Sequence, residues 1–204
     1  MDTTATKWTG LRATLGSRQF DLPARARKAG ALLDRLPTPL RRDEIVLDAG
    51  AGSGFLTLAA AERLDHGRVI ALELSPDMIG RLTQRVAAAG LDERVEPLQA
   101  DAAGTGLADD SVDRIVSHAM LHELFDVEAA ITEWTRILKP GGSLLLSDVA
   151  DGWYGFIVRW LHDRRAHGPF TPEDLAATLT RAGLSGVKVE RQGKLLYATA
   201  HKPR

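Results

Sequence analysis

The stretch VLDAGAGSGFLTLAAAE, residues 46–62, sets three glycines at alternate positions between an apolar run and a segment of helical periodicity. Gly50, Gly52 and Gly54 must turn the chain from a buried strand, EIVLDA, into a helix, SGFLTLAAAERL, where Phe55, Leu58, Ala59 and Glu62 recur at spacings of three and four. A strand, a glycine-rich turn and a helix in that order begin an α/β sheet. Such a turn brings backbone amides and a helix N-terminus up to a ligand at the carboxyl ends of the strands.

Working outward, the alternation continues. RVIALEL is the next strand, followed by the helix SPDMIGRLTQRVAAAG, with Ser75 at its N-cap, Pro76 at its first position and Gly90 past its end. RVEPLQA, VDRIVSH and GSLLLSDV are strands, and DVEAAITEWTRIL is a helix between the last two, stopped by a turn KPGG at residues 139–142. Five strands separated by helices imply parallel pairing through right-handed crossovers. After a capped helix, TPEDLAATLTRAG, the segments GVKVERQ and KLLYATAHK are joined by a turn at Gln192 and Gly193 and should form a hairpin. The expected fold is a doubly wound, Rossmann-like α/β sheet of seven strands, mostly parallel, with one antiparallel strand near the C-terminus. Residues 1–42 are expected to be an N-terminal helical extension or lid containing ARARKAGALLDRL. Residues 43–204 form the domain proper, with an aromatic-rich insert at 151–170.

Composition narrows the function classes. The 204 residues carry 26 basic against 27 acidic side chains, 44% are hydrophobic, and none is cysteine. That suits one globular domain and gives no sequence-wide attraction to nucleic acid or anionic lipid. It excludes a disulfide framework, a thiolate nucleophile and a zinc–thiolate site within this sequence. No apolar run approaches membrane-spanning length, and the start lacks the hydrophobic core of a secretory signal, so a cytoplasmic location is the expectation. The Thr- and Arg-rich start invites a transit-peptide reading, against which Asp2 and Asp21 count.

The glycine spacing discriminates between ligands. A dinucleotide turn is G-x-G-x-x-G, whose third glycine lets helix pack on strand; here Phe55 stands in that place. The order is instead G-x-G-x-G, introduced by Asp48, an acid better placed to accept from an ammonium group than to face a pyrophosphate. A nicotinamide-dependent oxidoreductase is therefore the weaker of the two cofactor readings.

Five motifs in register with the strands, VLDAGAGSG, ALELSPDM, LQADA, VDRIVSHAMLHEL and ILKPGGSLLLSD, resemble the class I S-adenosylmethionine-dependent methyltransferases, in particular the small single-domain group that includes the ubiquinone and menaquinone methyltransferases. The resemblance implies S-adenosylmethionine as cofactor. It implies backbone amides of Gly50, Gly52 and Gly54 around the methionine part, with Asp48 near its amino group. Glu73 would take the ribose hydroxyls, Met78 would pack on the adenine, Asp101 and the Ala102 amide would meet the adenine edge, and Ser117 or His118 would face the sulfonium. Each acid has a competing role as a turn or helix cap, and Met78 as core filler.

Methyl transfer needs a base only where the acceptor loses a proton, and His118 and His122 of SHAMLHEL are the candidates. Their spacing with Glu123 also permits a metal reading, a loose one without a third ligand, and no metal is expected. The insert holds Trp153, Tyr154, Phe156, Trp160 and Phe170, with Arg159, Arg164 and Arg165. It reads either as a lid for an apolar or aromatic acceptor, completed by Trp8 and Phe20, or as a cover helix or homodimer contact. The Asn-or-Asp-Pro-Pro-aromatic pattern of nucleic-acid amino methylation is absent, so a small-molecule acceptor is expected and nucleic acid is not. A cofactor-binding regulatory or structural subunit without transfer activity is the rival from outside the enzymes.

Overall fold

The computed structural model describes residues 23–152 and 170–204. The aromatic positions Trp8, Phe20, Trp153, Tyr154, Phe156 and Trp160, and the arginines of the insert, lie outside the described residues. The elements are α1 (Pro23–Leu33), β1 (Ile45–Ala49), α2 (Phe55–Ala61), β2 (Arg68–Glu73), α3 (Pro76–Ala88), β3 (Val95–Gln99), β4 (Val112–His118), α4 (Val127–Ile137), β5 (Leu138–Val149), α5 (Pro172–Arg181), β6 (Ser185–Gln192) and β7 (Leu195–His201).

All seven strands form one sheet in the order β3-β2-β1-β4-β5-β7-β6. β1 pairs in parallel with β2 and β4, and the parallel set extends to β3 and β5. β7 runs antiparallel to both of its neighbours, β5 and β6. It is the single antiparallel strand, as the hairpin signal at the tail required. Strand order reverses between β2-β1 and β4, which opens a crevice above the carboxyl end of β1.

Alternate residues of each strand feed two hydrophobic layers, which explains why the strands read as continuous apolar runs. Leu47, Leu72 and Ile115 pack with Trp134 and Ile131 of α4 and Leu175 and Leu179 of α5. On the other face Val46, Ala71 and Val116 meet Leu56 of α2, Leu82 of α3, and Ala29, Leu32 and Leu33 of α1. The helix in the N-terminal 1–42 region is thus part of the core, and Arg63 ties it to α2 by donating to Gly30 O at 3.0 Å and Asp34 at 2.8 Å.

Three local expectations need correction. Helix α2 turns Leu56, Thr57, Ala60 and Ala61 inward, one step from the face read by periodicity, because Gly54 in a left-handed conformation sets its start. Residues 139–142 are not a turn outside the strand: they lie within β5 as a bulge opposite Val112 and Arg114, with Gly141 N–H donating to Lys202 O. The hairpin turn sits at Gly193 and Lys194, one residue later than read.

At the amino-terminal end of the sheet Arg114, 7% exposed, donates to Glu44 Oε1 at 3.1 Å, Ser143 at 2.6 Å and Thr38 at 2.9 Å. This buried and fully matched network locks the segment entering β1 to β4 and β5. No helix of the described residues is long and apolar enough to cross a membrane.

Candidate functional site

Above the carboxyl ends of β1, β2, β4 and β5 the chain encloses a cavity of about 1160 Å³, large enough for a nucleoside and a second molecule. The turn at its base is built by positive φ angles of 78°, 55° and 93° at Gly50, Gly52 and Gly54, which other residues resist. Gly50 and Ala51 N–H both donate to Leu72 O, at 2.9 and 2.8 Å. Arg85 of α3 donates to Ser53 O at 2.9 Å and braces the far side of the turn.

Gly50, Ala51, Gly52 and Ser53 line the cavity, whereas Gly54 is not part of its wall. Gly54 caps α2, and a β-carbon there would stand 2.8 Å from Leu82 Cδ1. Its absence of side chain serves helix–helix contact, and the expectation that Gly54 meets a ligand is not supported by its position.

Glu73, ending β2, accepts Gly52 N–H at 3.0 Å on one oxygen and Ser75 N–H at 2.9 Å on the other. It therefore clips the glycine turn to the start of α3. Burial pushes its carboxyl above the ordinary value, with the backbone bonds pulling the other way. A carboxylate has about four acceptor sites, so these bonds leave capacity for a hydroxyl.

Asp48, 1% exposed, is the next-to-last residue of β1, lines the cavity and accepts from Thr57 Oγ1 at 2.6 Å. Burial pushes this carboxyl up to about 7; the Thr57 bonds lower it and the nearby Glu73 charge raises it further. A carboxyl poised there gains by meeting a cation.

The adenine candidates line the same cavity. Met78 of α3 is 6% exposed, and Asp101 and Ala102 follow β3. Asp101 Oδ1 accepts Ala103 N–H at 2.8 Å, which holds the loop and leaves Oδ2 for a ligand. Trp134 Nε1 donates to Ala102 O at 3.1 Å and fixes that backbone from within the core.

The two histidines diverge. His118 ends β4, lies on the wall, and has its ring 5.1 Å from that of Phe55. Ser117, buried within β4, is not a wall residue, since a strand alternates its side chains; the side chain facing the cavity is that of His118. Ala119 follows at φ 54°, its N–H on Ser147 O at 2.7 Å, a strained non-glycine conformation of the sort found at functional sites. His122 sits in a single 3₁₀ turn, Leu121–Glu123. Its Nδ1 is 2.7 Å from Asp148 Oδ1, and its Nε2 is 3.8 Å from Glu123 Oε1.

Sequence reasoning missed Asp148, which sits at the end of LLLSD and holds His122, and it missed Ser147, Tyr197 and Arg35, which line the cavity. Arg35 of the segment after α1 lies with Cζ 3.9 Å from the Tyr197 ring centroid. The β7 contribution follows from strand insertion beside β5 and has no local signal. Phe170, of the aromatic set, pairs with Ala150 and packs on the core. Among the described residues no group of three or more His, Cys, Asp or Glu side chains could hold a metal ion.

Residues 47–146 match a family described as a methyltransferase domain. The chain is 29% identical over 160 residues to an arsenite methyltransferase of Halobacterium salinarum, covering 72% of this chain and 38% of that one. It is 32% identical over 108 residues to a ubiquinone/menaquinone biosynthesis C-methyltransferase of an Enterobacter species, covering 52% and 43%. The chain thus spans less than half the length of these curated relatives. Among solved structures, a Haemonchus contortus phosphoethanolamine N-methyltransferase in complex with phosphomonomethylethanolamine and S-adenosylhomocysteine shares the fold, with a TM-score of 0.76 at 19% identity over 87% of this chain and 53% of that one.

Proposed function

The chain belongs to the class I S-adenosylmethionine-dependent methyltransferases, and from that premise we propose that it transfers a methyl group to a small acceptor, apolar or aromatic in part, by in-line displacement. One observation carries the proposal: a single cavity is lined by the glycine turn, Asp48, Glu73, Met78 and Asp101 and also by His118, His122, Ser147 and Tyr197. The residues present fit the cofactor. The cradle at Gly52 is open, since a β-carbon added there would find its nearest neighbour, Met78 Cε, at 3.7 Å. Gly50 to Ser53 would hold the methionine part, Asp48 its ammonium, Glu73 the ribose and Met78, Asp101 and Ala102 the adenine.

The bound cofactor supplies a sulfonium methyl: an acceptor lone pair forms the new bond to carbon as the carbon–sulfur pair leaves with a neutral thioether. The chain's part is to hold the acceptor in line and exclude water, which alone is worth several powers of ten in rate. His118 and His122 are the groups available to take a proton from the acceptor. The N-terminal segment contributes Lys28, Leu32 and Arg35 to the wall, which supports its role on the acceptor side. The insert at 151–170 is assigned the same role on its aromatic composition.

The relatives act on chemically different acceptors, and one of them is disfavoured here. Trivalent arsenic is a soft centre that calls for thiolates, and these 204 residues contain none. An organic acceptor is the better fit to walls that include Val149, Leu195 and Tyr197.

The test is titration calorimetry with S-adenosylhomocysteine, with NAD as control. Saturable binding of the first alone, followed by S-adenosylhomocysteine release with a phenol, quinol or amine, is the expected result. Binding of NAD alone would overturn the proposal, and cofactor binding without turnover of any acceptor class would leave a binding subunit.

A further inference from the structure

The His122–Asp148 pair lies outside the residues assigned above to the nucleoside, yet it is built with care. Asp148 is 1% exposed and His122 9%, and burying such a pair costs desolvation unless its atoms are matched. Asp148 Oδ1 meets Nδ1 at 2.7 Å and accepts Val149 N–H at 2.6 Å, while Oδ2 accepts His122 N–H at 3.4 Å. An aspartate placed so keeps hydrogen on Nδ1 and makes Nε2 the nitrogen that takes a proton. The imidazolium formed by that uptake lies between two carboxylates, Asp148 on one side and Glu123 on the other.

A second observation comes from the preceding residue of β5. Ser147 lines the same wall and is 2% exposed, and its Oγ has no hydrogen-bond partner among the described residues. A buried hydroxyl is normally satisfied, and the partner missing here is one that a bound molecule can supply. Val149, Leu195 and Tyr197 complete this side of the cavity with apolar and ring surface.

We propose that His122, held by Asp148, takes the proton of an acceptor hydroxyl of the phenol class, and that Ser147 orients that acceptor by hydrogen bonding. The inference rests on the methyl-transfer reading above. The acceptor O–H bond breaks, its proton bonds to Nε2, and its electron pair stays on oxygen as the nucleophile; the imidazolium later returns the proton to water. A phenol with an ordinary pKa of about 10 is ionised only about once in a thousand at neutral pH, so a base beside it is needed. Asp148 acts through His122 and is a positioning residue.

The test uses para-nitrophenol, whose anion is yellow, added to protein saturated with S-adenosylhomocysteine so that only proton movement is read. Wild type is expected to raise phenolate absorbance above buffer at the same pH, saturating with protein. His122→Asn and Asp148→Asn lose that excess, and Ser147→Ala requires more probe to reach it. No excess with wild type, or an excess retained by His122→Asn, overturns the proposal. S-adenosylhomocysteine affinity of each variant, measured first, reports that the fold is intact; should Asp148→Asn fail there, His122→Gln carries the comparison. A wild type that binds no S-adenosylhomocysteine sinks the methyl-transfer reading instead, and the probe is then added to the unliganded protein, where the His122 comparison still decides.

Discussion

Lowering the pH from about 8 to about 6 should weaken S-adenosylhomocysteine binding about tenfold, because Asp48 must be ionised to meet the ligand's ammonium group. Burial pushes this carboxyl up to about 7 in the unliganded protein. It is then about nine-tenths ionised near pH 8 and about one-tenth near pH 6, a difference of about 1.4 kcal/mol in binding if only the ionised form accepts the ligand. Thr57 and Glu73 are the groups that bear on it: the first donates to Oδ2 and the second adds like charge. The unliganded fold shows the complementary trend. A raised carboxyl pKa means that the folded chain holds the proton longer than the unfolded one, whose value is near 3.8. Asp48 therefore contributes most stability below about pH 4 and loses it as pH climbs to about 7. Calorimetry in two buffers of different ionisation enthalpy measures the proton released on binding at pH 6. Affinity that is flat across this range, with no proton released, would refute the assignment of Asp48 to the ammonium; Asp48→Asn should abolish the slope.

Other residues offer separate tests. Glu73→Ala should weaken S-adenosylhomocysteine binding by about 1.5–3 kcal/mol, the scale of hydrogen bonds to a charged group; unchanged calorimetric affinity in a folded variant removes Glu73 from the ribose role. Trp134→Phe keeps the core filled but deletes the donor to Ala102 O, and should cost about 1 kcal/mol in urea unfolding together with some cofactor affinity; Trp134→Ala should cost about 3–5 kcal/mol. Gly54→Ala is expected to lower the melting temperature, since it combines a φ of 93° with a contact of 2.8 Å to Leu82. A melting curve unchanged by that substitution would show that α2 can shift without penalty.

The strands along the chain and the antiparallel tail were legible because hydrophobic periodicity and turn residues are local signals. So were Ser75, Pro76 and Thr171 at helix starts, where a side chain caps its own helix. The inward face of α2 was not, because a seven-residue helix is too short for its period to be read against small residues such as Ala59 and Ala60. The cavity wall split along the same line. Asp48, Glu73 and Asp101 lie at or just past the carboxyl ends of their strands and could be placed by counting, while Asp148 gains its meaning only from His122, 26 positions away in sequence. Ser117 and His118 were read as alternatives, and the pleat of β4 separates them. Beside the duty expected of it, Glu73 accepts the amides of Gly52 and Ser75, which reach it only once the turn has folded back over β2.

The place of β7 between β5 and β6 bears on how the molecule is made. As the chain leaves the ribosome, β1 to β5 can pair in turn, each with a neighbour already present, but β5 keeps one edge open until residues 195–201 arrive. β6 emerges earlier and has no place in the sheet until β7 joins it to β5. An apolar edge exposed through that interval is a site for pairing with another nascent chain. The final insertion closes the edge and, in the same event, brings Leu195 and Tyr197 to the cavity. A chain stalled one strand short would hold its glycine turn and lack one wall, so the cavity is complete only after β7 has joined the sheet.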